Sequence, residues 1–228
     1  MTTDKRAFDE LQDKFRGRFL CYLRRAFQQI PPLPRPRILD IGCGSGLPTL
    51  ELARLSGGDV TGIDIDVYAL QRLEEKVKAA DLTDTVHIVE GSLKNMDFPK
   101  ASFDILWAEG SANVIGFEQA LKDWKRFLKP NGYFVVHDEV GDLEQKKRQV
   151  AAQGYKLIDS FVLDSDIWWT NYFEPLRRAV QKIRRQNPSD LQLLAALEQV
   201  DMEIQAYRDH PEDLRSAYLI MALDSESS

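Results

Sequence analysis

Cysteine is scarce in this 228-residue chain. Cys21 and Cys43 are too few for a disulfide framework, and Cys43 sits among glycines where a bridge would distort the turn. A reducing compartment is the expectation, and with it a cytoplasmic location. Histidine is scarce too: His87, His137 and His210 have no metal-ligand spacing, so no metal site is expected. No apolar run approaches the ~20 residues of a membrane-crossing helix, so no membrane partner is expected. The opening residues Met1-Thr2-Thr3-Asp4-Lys5-Arg6 lack the apolar stretch of a secretory leader. Nor is positive charge in excess. The net charge of −6 argues against nucleic-acid binding, which draws on a basic field. What remains is an ordinary globular composition, 43% hydrophobic and 29% charged, in a length that fills one sizeable core.

Glycine, by contrast, is concentrated in one place. Ile38 to Ile41 has the length and character of a short buried strand, and Gly42-Cys43-Gly44-Ser45-Gly46 follows it. Leu47 to Leu55 then carries apolar residues at helical spacing, with Pro48 tolerated in the first turn. Strand, glycine loop, helix describes a turn where main chain approaches a ligand more closely than a Cβ would allow. About twenty residues beyond the central glycine, Gly62-Ile63-Asp64-Ile65-Asp66 closes a second strand with a carboxylate suited to gripping ribose hydroxyls. An adenosine-containing cofactor is therefore expected. A dinucleotide fingerprint would place its third glycine where this chain has Leu47. Asp40, at the mouth of the loop, would repel a pyrophosphate but attract an ammonium and a sulfonium. S-adenosylmethionine (SAM) carries both cations and no phosphate.

Asp40 to Gly46, Asp64 to Asp66, and Leu128-Lys129-Pro130-Asn131-Gly132 before an apolar strand together resemble the class I SAM-dependent methyltransferases. The resemblance implies that the first block is the cofactor loop, the second the ribose-binding acid and the third a turn usually read L-K-P-G-G. Asn131 replaces a glycine there, and asparagine tolerates left-handed backbone angles. The resemblance covers roughly Arg35 to Leu163. It does not extend with any specificity to the amino-terminal arm or to Asp164–Arg215. It implies SAM as methyl donor and S-adenosylhomocysteine as product.

The pattern along the chain agrees with an α/β fold: a doubly wound, mostly parallel seven-stranded sheet with helices on both faces. Phe8 to Ile30 reads as one basic amphipathic helix, and Pro31, Pro32, Pro34 and Pro36 as a stiff connector. Strands are expected at Asp59–Asp64, Val86–Glu90, Phe103–Glu109, Gly132–Glu139 and Tyr155–Leu163. Helices are expected at Val67–Ala80, Gly116–Phe127 and Glu144–Gln153. Asp166–Gln186 and Asp190–Arg208 read as a helical pair parted by Asn187-Pro188-Ser189, with Ser189 or Asp190 as a cap. Ala217–Leu223 returns to strand character. The resemblance puts the last two strands in a hairpin, so the helical pair is expected as an insertion between them. Four segments result: a helical arm or lid (1–34), a SAM-binding core (35–163), an insertion serving as substrate cap or homodimer interface (164–215), and a final strand with a tail (216–228). The tail from Asp224 to Ser228 reads as frayed.

Ligands in an open parallel sheet bind beyond the carboxyl ends of the strands. That places Asp40, Gly42, Gly44, Gly46 and Asp64 on the cofactor, with Ile65 against the adenine. Gly91, Ser92 and Leu93 follow the third strand. The resembled family often has a carboxylate near Ser92; the serine hydroxyl, or Asp97, is the substitute here. Glu109, ending the fourth strand, is a candidate for holding an amine, for general-base work or for cofactor contact. His137 is a candidate general base, against a purely structural role. Alternation puts His137 and Glu139 on one face of the fifth strand and Asp138 on the other. Trp168, Trp169 and Tyr172 are candidate walls of an acceptor site, with packing as the plainer explanation of their four-residue stripe to Leu176. Arg177, Arg178, Lys182, Arg184 and Arg185 read as a solvated face. The N-P-P-Y-like element of many nucleic-acid and amide methyltransferases is missing after the fourth strand.

Methyl transfer from a sulfonium is an in-line displacement in which alignment contributes about 7–11 kcal/mol and a base serves only a protonated acceptor. The acceptor is therefore not legible. A small-molecule acceptor is the expectation. The alternatives are a protein or RNA acceptor, supported only by the basic first helix, or a non-catalytic SAM-binding assembly module.

Overall fold

The computed structural model describes residues 3–187, 189 and 191–224. The cap expected at Asp190 lies outside the described residues, as do residues 225–228 of the tail. The chain divides into two compact units, 20–162 with 217–228, and 1–19 with 163–216.

The larger unit is built on a seven-stranded sheet. Its strands are β1 (Arg37–Ile41), β2 (Asp59–Asp64), β3 (Val86–Glu90), β4 (Phe103–Glu109), β5 (Leu128–Glu139), β6 (Tyr155–Leu163) and β7 (Ser216–Leu223), in the order β3-β2-β1-β4-β5-β7-β6. The pairs β1–β2, β2–β3, β1–β4 and β4–β5 are parallel. The central strands are buried on both sides, which is why they read as continuous apolar runs rather than alternating ones. Seven of the eight β7 residues are buried, because the last strand enters between β5 and β6.

Helices cover both faces. Leu39, Ile41, Leu106, Phe134, Val136 and Leu219 form one core with Leu121 and Trp124 of α5 (Phe117–Trp124) and Val150 of α6 (Leu143–Ala152). The opposite face carries Asp40 and Trp107. It meets α3 (Leu47–Ser56) through Thr49 and α2 (Leu20–Phe27) through Phe27, whose ring centroid lies 6.4 Å from that of Trp107. Helix α4 (Val67–Ala79) is started by Asp66, whose carboxylate accepts from the amides of Tyr68 and Ala69. The expected turn at Leu128–Gly132 is instead an irregular stretch inside β5. Asn131 there has φ of 61°, and the β4–β5 register shifts between Phe103 and Ile105.

The smaller unit joins the start of the chain to the inserted helices. Helix α1 (Thr3–Arg16) lies with α7 (Ser165–Trp168), a π-helical turn (Trp169–Phe173), α8 (Glu174–Gln186) and α9 (Leu191–Asp209). Two sequence expectations are corrected here. The single helix from Phe8 to Ile30 is broken by a 3-10 turn over Gly17–Phe19, since glycine is a poor helix former, and the two units divide at that turn. The helix over Asp166–Gln186 is interrupted by the π turn. Pro175 has no N–H to offer the Asn171 carbonyl four residues back, and that carbonyl accepts from the Arg18 guanidinium at 3.1 Å. No helix among the described residues is long and apolar enough to cross a membrane.

Asp66 gives a direct check on the strand-to-helix junction beside the site. Asp66→Ala removes both cap bonds and is expected to lower stability by about 1 kcal/mol, read as a shift of the urea midpoint with an unchanged slope.

Candidate functional site

The sheet order reverses direction between β1 and β4, which opens a crevice at the carboxyl ends of these strands. The glycine turn fills one side of it. Gly42, Gly44 and Gly46 have φ of 75°, 52° and 82°, all left-handed. Their environments differ. A Cβ on Gly42 would stand 2.5 Å from Ser111 Cβ, and one on Gly46 would stand 2.1 Å from Leu73 Cδ1. Those two glycines are required by the protein's own packing. A Cβ on Gly44 meets nothing within 4 Å, so this glycine presents bare main chain to open space.

The next strand end is tied to that turn. Asp64 Oδ2 accepts from the Gly44 amide at 2.8 Å and Oδ1 accepts from the Asp66 amide at 2.9 Å. The amides of Gly42 and Cys43 both donate to the Ile63 carbonyl. Ile65, directly after Asp64, is 68% exposed. Gly91 donates its amide to Asp64 O, Ser92 is half-buried, and the Leu93 carbonyl accepts from the Trp124 indole at 3.2 Å. Asp97 is exposed.

Asp40 departs from the sequence expectation. It is not at the mouth of the loop but 1% exposed beneath it, with Oδ2 accepting from Thr49 Oγ1 at 2.6 Å. Burial pushes its carboxyl up to about 7; the Thr49 bond opposes this, and the charges of Glu109 and Asp64 add to it. Enclosed in this way, Asp40 reaches the crevice through its field rather than through an exposed oxygen. Cys43 is also buried, and burial followed by Asp40 and Asp64 raises its thiol, so it is no nucleophile.

The loop after β4 is clamped to its neighbours. Ser111 Oγ donates to Ile41 O at 2.5 Å, the Gly110 amide donates to His137 O at 2.7 Å, and the Asn113 amide donates to Asp138 Oδ2 at 2.9 Å. Glu109 projects from the base of this loop. Its Oε1 accepts from the Trp107 indole at 2.8 Å and from the Tyr218 hydroxyl at 3.0 Å. Its Oε2 lies 3.7 Å from His137 Nδ1. The His137 ring is 6% exposed and stacks on Tyr218 with centroids 4.0 Å apart. So enclosed a ring fits an orienting group better than a base that meets an acceptor.

The aromatic trio lies within the smaller unit, around the π turn. Trp168 donates to Ser216 Oγ at 2.8 Å and packs on Phe19. Tyr172 is buried against Trp168 and Phe173, the packing that is the plainer explanation of its place in the stripe. Trp169 lines a small cleft with Ser165, Asp166, Tyr207 and Arg208.

Thr49, Trp107, Ser111 and Tyr218 were not singled out by sequence. Trp107 had a local signal, since two residues apart on a strand share a face. Tyr218 had none beyond one polar tip in an apolar run.

Residues 39–136 match the family model described as a methyltransferase domain. Over 104 residues the chain is 38% identical to the sterol 24-C-methyltransferase of Eremothecium gossypii, covering 45% of this chain and 28% of that protein. Over 108 residues it is 35% identical to the botryococcene C-methyltransferase of Botryococcus braunii, covering 47% and 28%. The match thus spans less than a third of either relative's length. Among solved structures, a SAM-dependent methyltransferase from Geobacter sulfurreducens in complex with S-adenosyl-L-homocysteine superposes with a TM-score of 0.71 at 18% identity, over 89% of each chain. The [4+2]-cyclase SpnF superposes with a TM-score of 0.73 at 20% identity, over 88% of this chain and 79% of that one. These likenesses show a common fold, and a neighbour named as a cyclase illustrates that the fold alone does not fix the reaction.

The glycines separate packing from ligand access. Gly46→Ala is expected to cost ~2 kcal/mol or more, because backbone strain and the Leu73 clash add. Gly44→Ala carries only the strain of its angle, about 1–2 kcal/mol. Urea titration of both variants tests this order.

Proposed function

We propose that this chain, whose residues 39–136 carry a methyltransferase domain, transfers the methyl group of SAM to a small-molecule acceptor. The observation that carries the reading is the open side of Gly44 beside a fixed Asp64 carboxylate. A nucleoside fits those residues: each Asp64 oxygen retains a lone pair for a ribose hydroxyl, and exposed Ile65 offers an apolar surface to a base. The bound cofactor would supply an activated methyl on a sulfonium.

The chain's own residues position and select. Gly44 lets the main chain close on the ligand without a Cβ. Asp64 holds the sugar, its direction set by two amides. Asp40, Asp64 and Glu109 create a negative field in the crevice that favours a cation over a pyrophosphate. No residue need take a proton unless the acceptor arrives protonated. The curated relatives named for C-methylation match this chain only in part, and the acceptor is proposed no more finely than a small molecule.

Asp64→Ala is expected to weaken SAM binding by about 10–100-fold in calorimetry while the fold persists; an unchanged affinity would remove the ribose assignment. Asp40 gives a pH dependence. Its folded value lies above that of an ordinary carboxyl, so the native state holds the proton more tightly than the unfolded one. The resulting stability is complete below about pH 4 and is lost as the pH rises through about 7. Asp40→Asn is therefore expected to gain on the wild type in urea stability as the pH is raised over that range. The wild-type affinity for SAM should rise between about pH 6 and 8 as Asp40 ionises, and the Asn variant should lose this rise. Incubation of the protein with methyl-labelled SAM and a metabolite extract tests the reaction itself: a labelled small product supports it, and label found only on protein or RNA overturns it.

A further inference from the structure

Glu109 is the one of the three carboxylates held by side chains alone from more than one strand. Its partners come from its own strand and two others: Trp107 two residues back on β4, His137 from β5 and Tyr218 from β7. Two donors converge on a single oxygen. The carboxylate can satisfy both only while its plane faces the indole and the phenol, which leaves Oε2 on the other side. Tyr218 is itself immobile. It is buried, with His137 stacked on one ring contact and Phe161 on another at 4.9 Å, and the Arg25 guanidinium covers Phe161 at 4.0 Å. The phenol remains a phenol, since burial, followed by the Glu109 charge, pushes its ionisation well up. Extending the β1–β4 pairing of Asp40 with Trp107 by two residues sets Glu109 level with Gly42, at the flank of the glycine turn.

We infer that Tyr218 is a positioning residue, which acts through its hydroxyl to hold the Glu109 carboxylate toward the cationic methionine end of the bound nucleoside. This rests on the donor reading above. The strand's other polar side chain, Ser216, is taken up by the Trp168 indole, whereas the Tyr218 hydroxyl makes a hydrogen bond that reaches 109 residues back along the chain. An apolar side chain would fill the same volume and keep the stack, so packing by itself does not call for the oxygen. The nearby Trp107 indole supplies a second anchor, and the pair together exclude the rotamers that a lone glutamate at a strand end would sample.

A binding cycle tests this. Tyr218→Phe keeps the ring and its stack, Glu109→Gln removes the charge, and the double variant combines them. Calorimetry with SAM and with S-adenosylhomocysteine reads the affinities, and thermal melts verify the fold. Tyr218→Phe is expected to weaken SAM binding about tenfold in the wild-type background. In the Glu109→Gln background it should have no further effect, since a residue that works through a partner is silent once the partner is changed. Loss for SAM alone would place Glu109 at the sulfonium, and equal loss for both ligands at the ammonium; either supports the inference. The Trp107 indole N–H resonance should also shift in Tyr218→Phe as the carboxylate settles on its one remaining donor. Equal effects of Tyr218→Phe in both backgrounds, or none in either, would overturn the positioning role. Wild-type protein that binds neither ligand would instead sink the donor reading. If Tyr218→Phe does not fold, Trp107→Phe removes the other donor and is put through the same cycle.

Discussion

The hydrogen bond from the Gly44 amide to the Asp64 carboxylate joins the ends of β1 and β2, and the site depends on it. A left-handed glycine is needed to turn that amide toward the neighbouring strand, and a short acid is needed to receive it. The same acid accepts from Asp66, which in turn starts α4. One carboxylate therefore sets the shape of the turn, the start of a helix and the edge of the crevice. The flanking glycines serve the packing, which leaves Gly44 as the one through which main chain can approach a ligand.

Negative charge is the second organising element. Asp40 feels the charges of both Asp64 and Glu109, and each of the three is handled differently. Asp64 is half-buried and held by amides, Asp40 is enclosed with a threonine, and Glu109 is fixed by an indole and a phenol. Enclosing Asp40 costs free energy when it is ionised, a cost that a cationic ligand would offset. The arrangement suits a ligand bearing positive charge and would oppose a diphosphate, in keeping with the absence of a glycine at Leu47.

Much of the core was legible because its signals are local. The spans of β2, β3, β4 and β6 coincide with the apolar runs that announced them, and the helices between them with their periodicity. The class I methyltransferase resemblance rested on three short blocks, and the family match over residues 39–136 contains all three. Illegibility began where a single residue overruled a periodic pattern. Gly17 broke a helix whose apolar spacing ran on through it. Pro175 withheld one amide, and the helix gave way to a π turn, with Trp168 and Tyr172 in contact and Trp169 at a separate cleft.

The site shows the same division. Local order determined the glycine turn, the acid at the end of β2 and the alternation of strand with helix, because each arises from neighbours within a few residues and from backbone sterics. Tertiary structure alone decided that Asp40 is buried, that His137 is stacked and enclosed, and that Tyr218 meets Glu109. Those outcomes depend on which strands lie side by side. The insertion of β7 between β5 and β6 brings together residues more than a hundred positions apart, and no spacing along the chain records such a meeting.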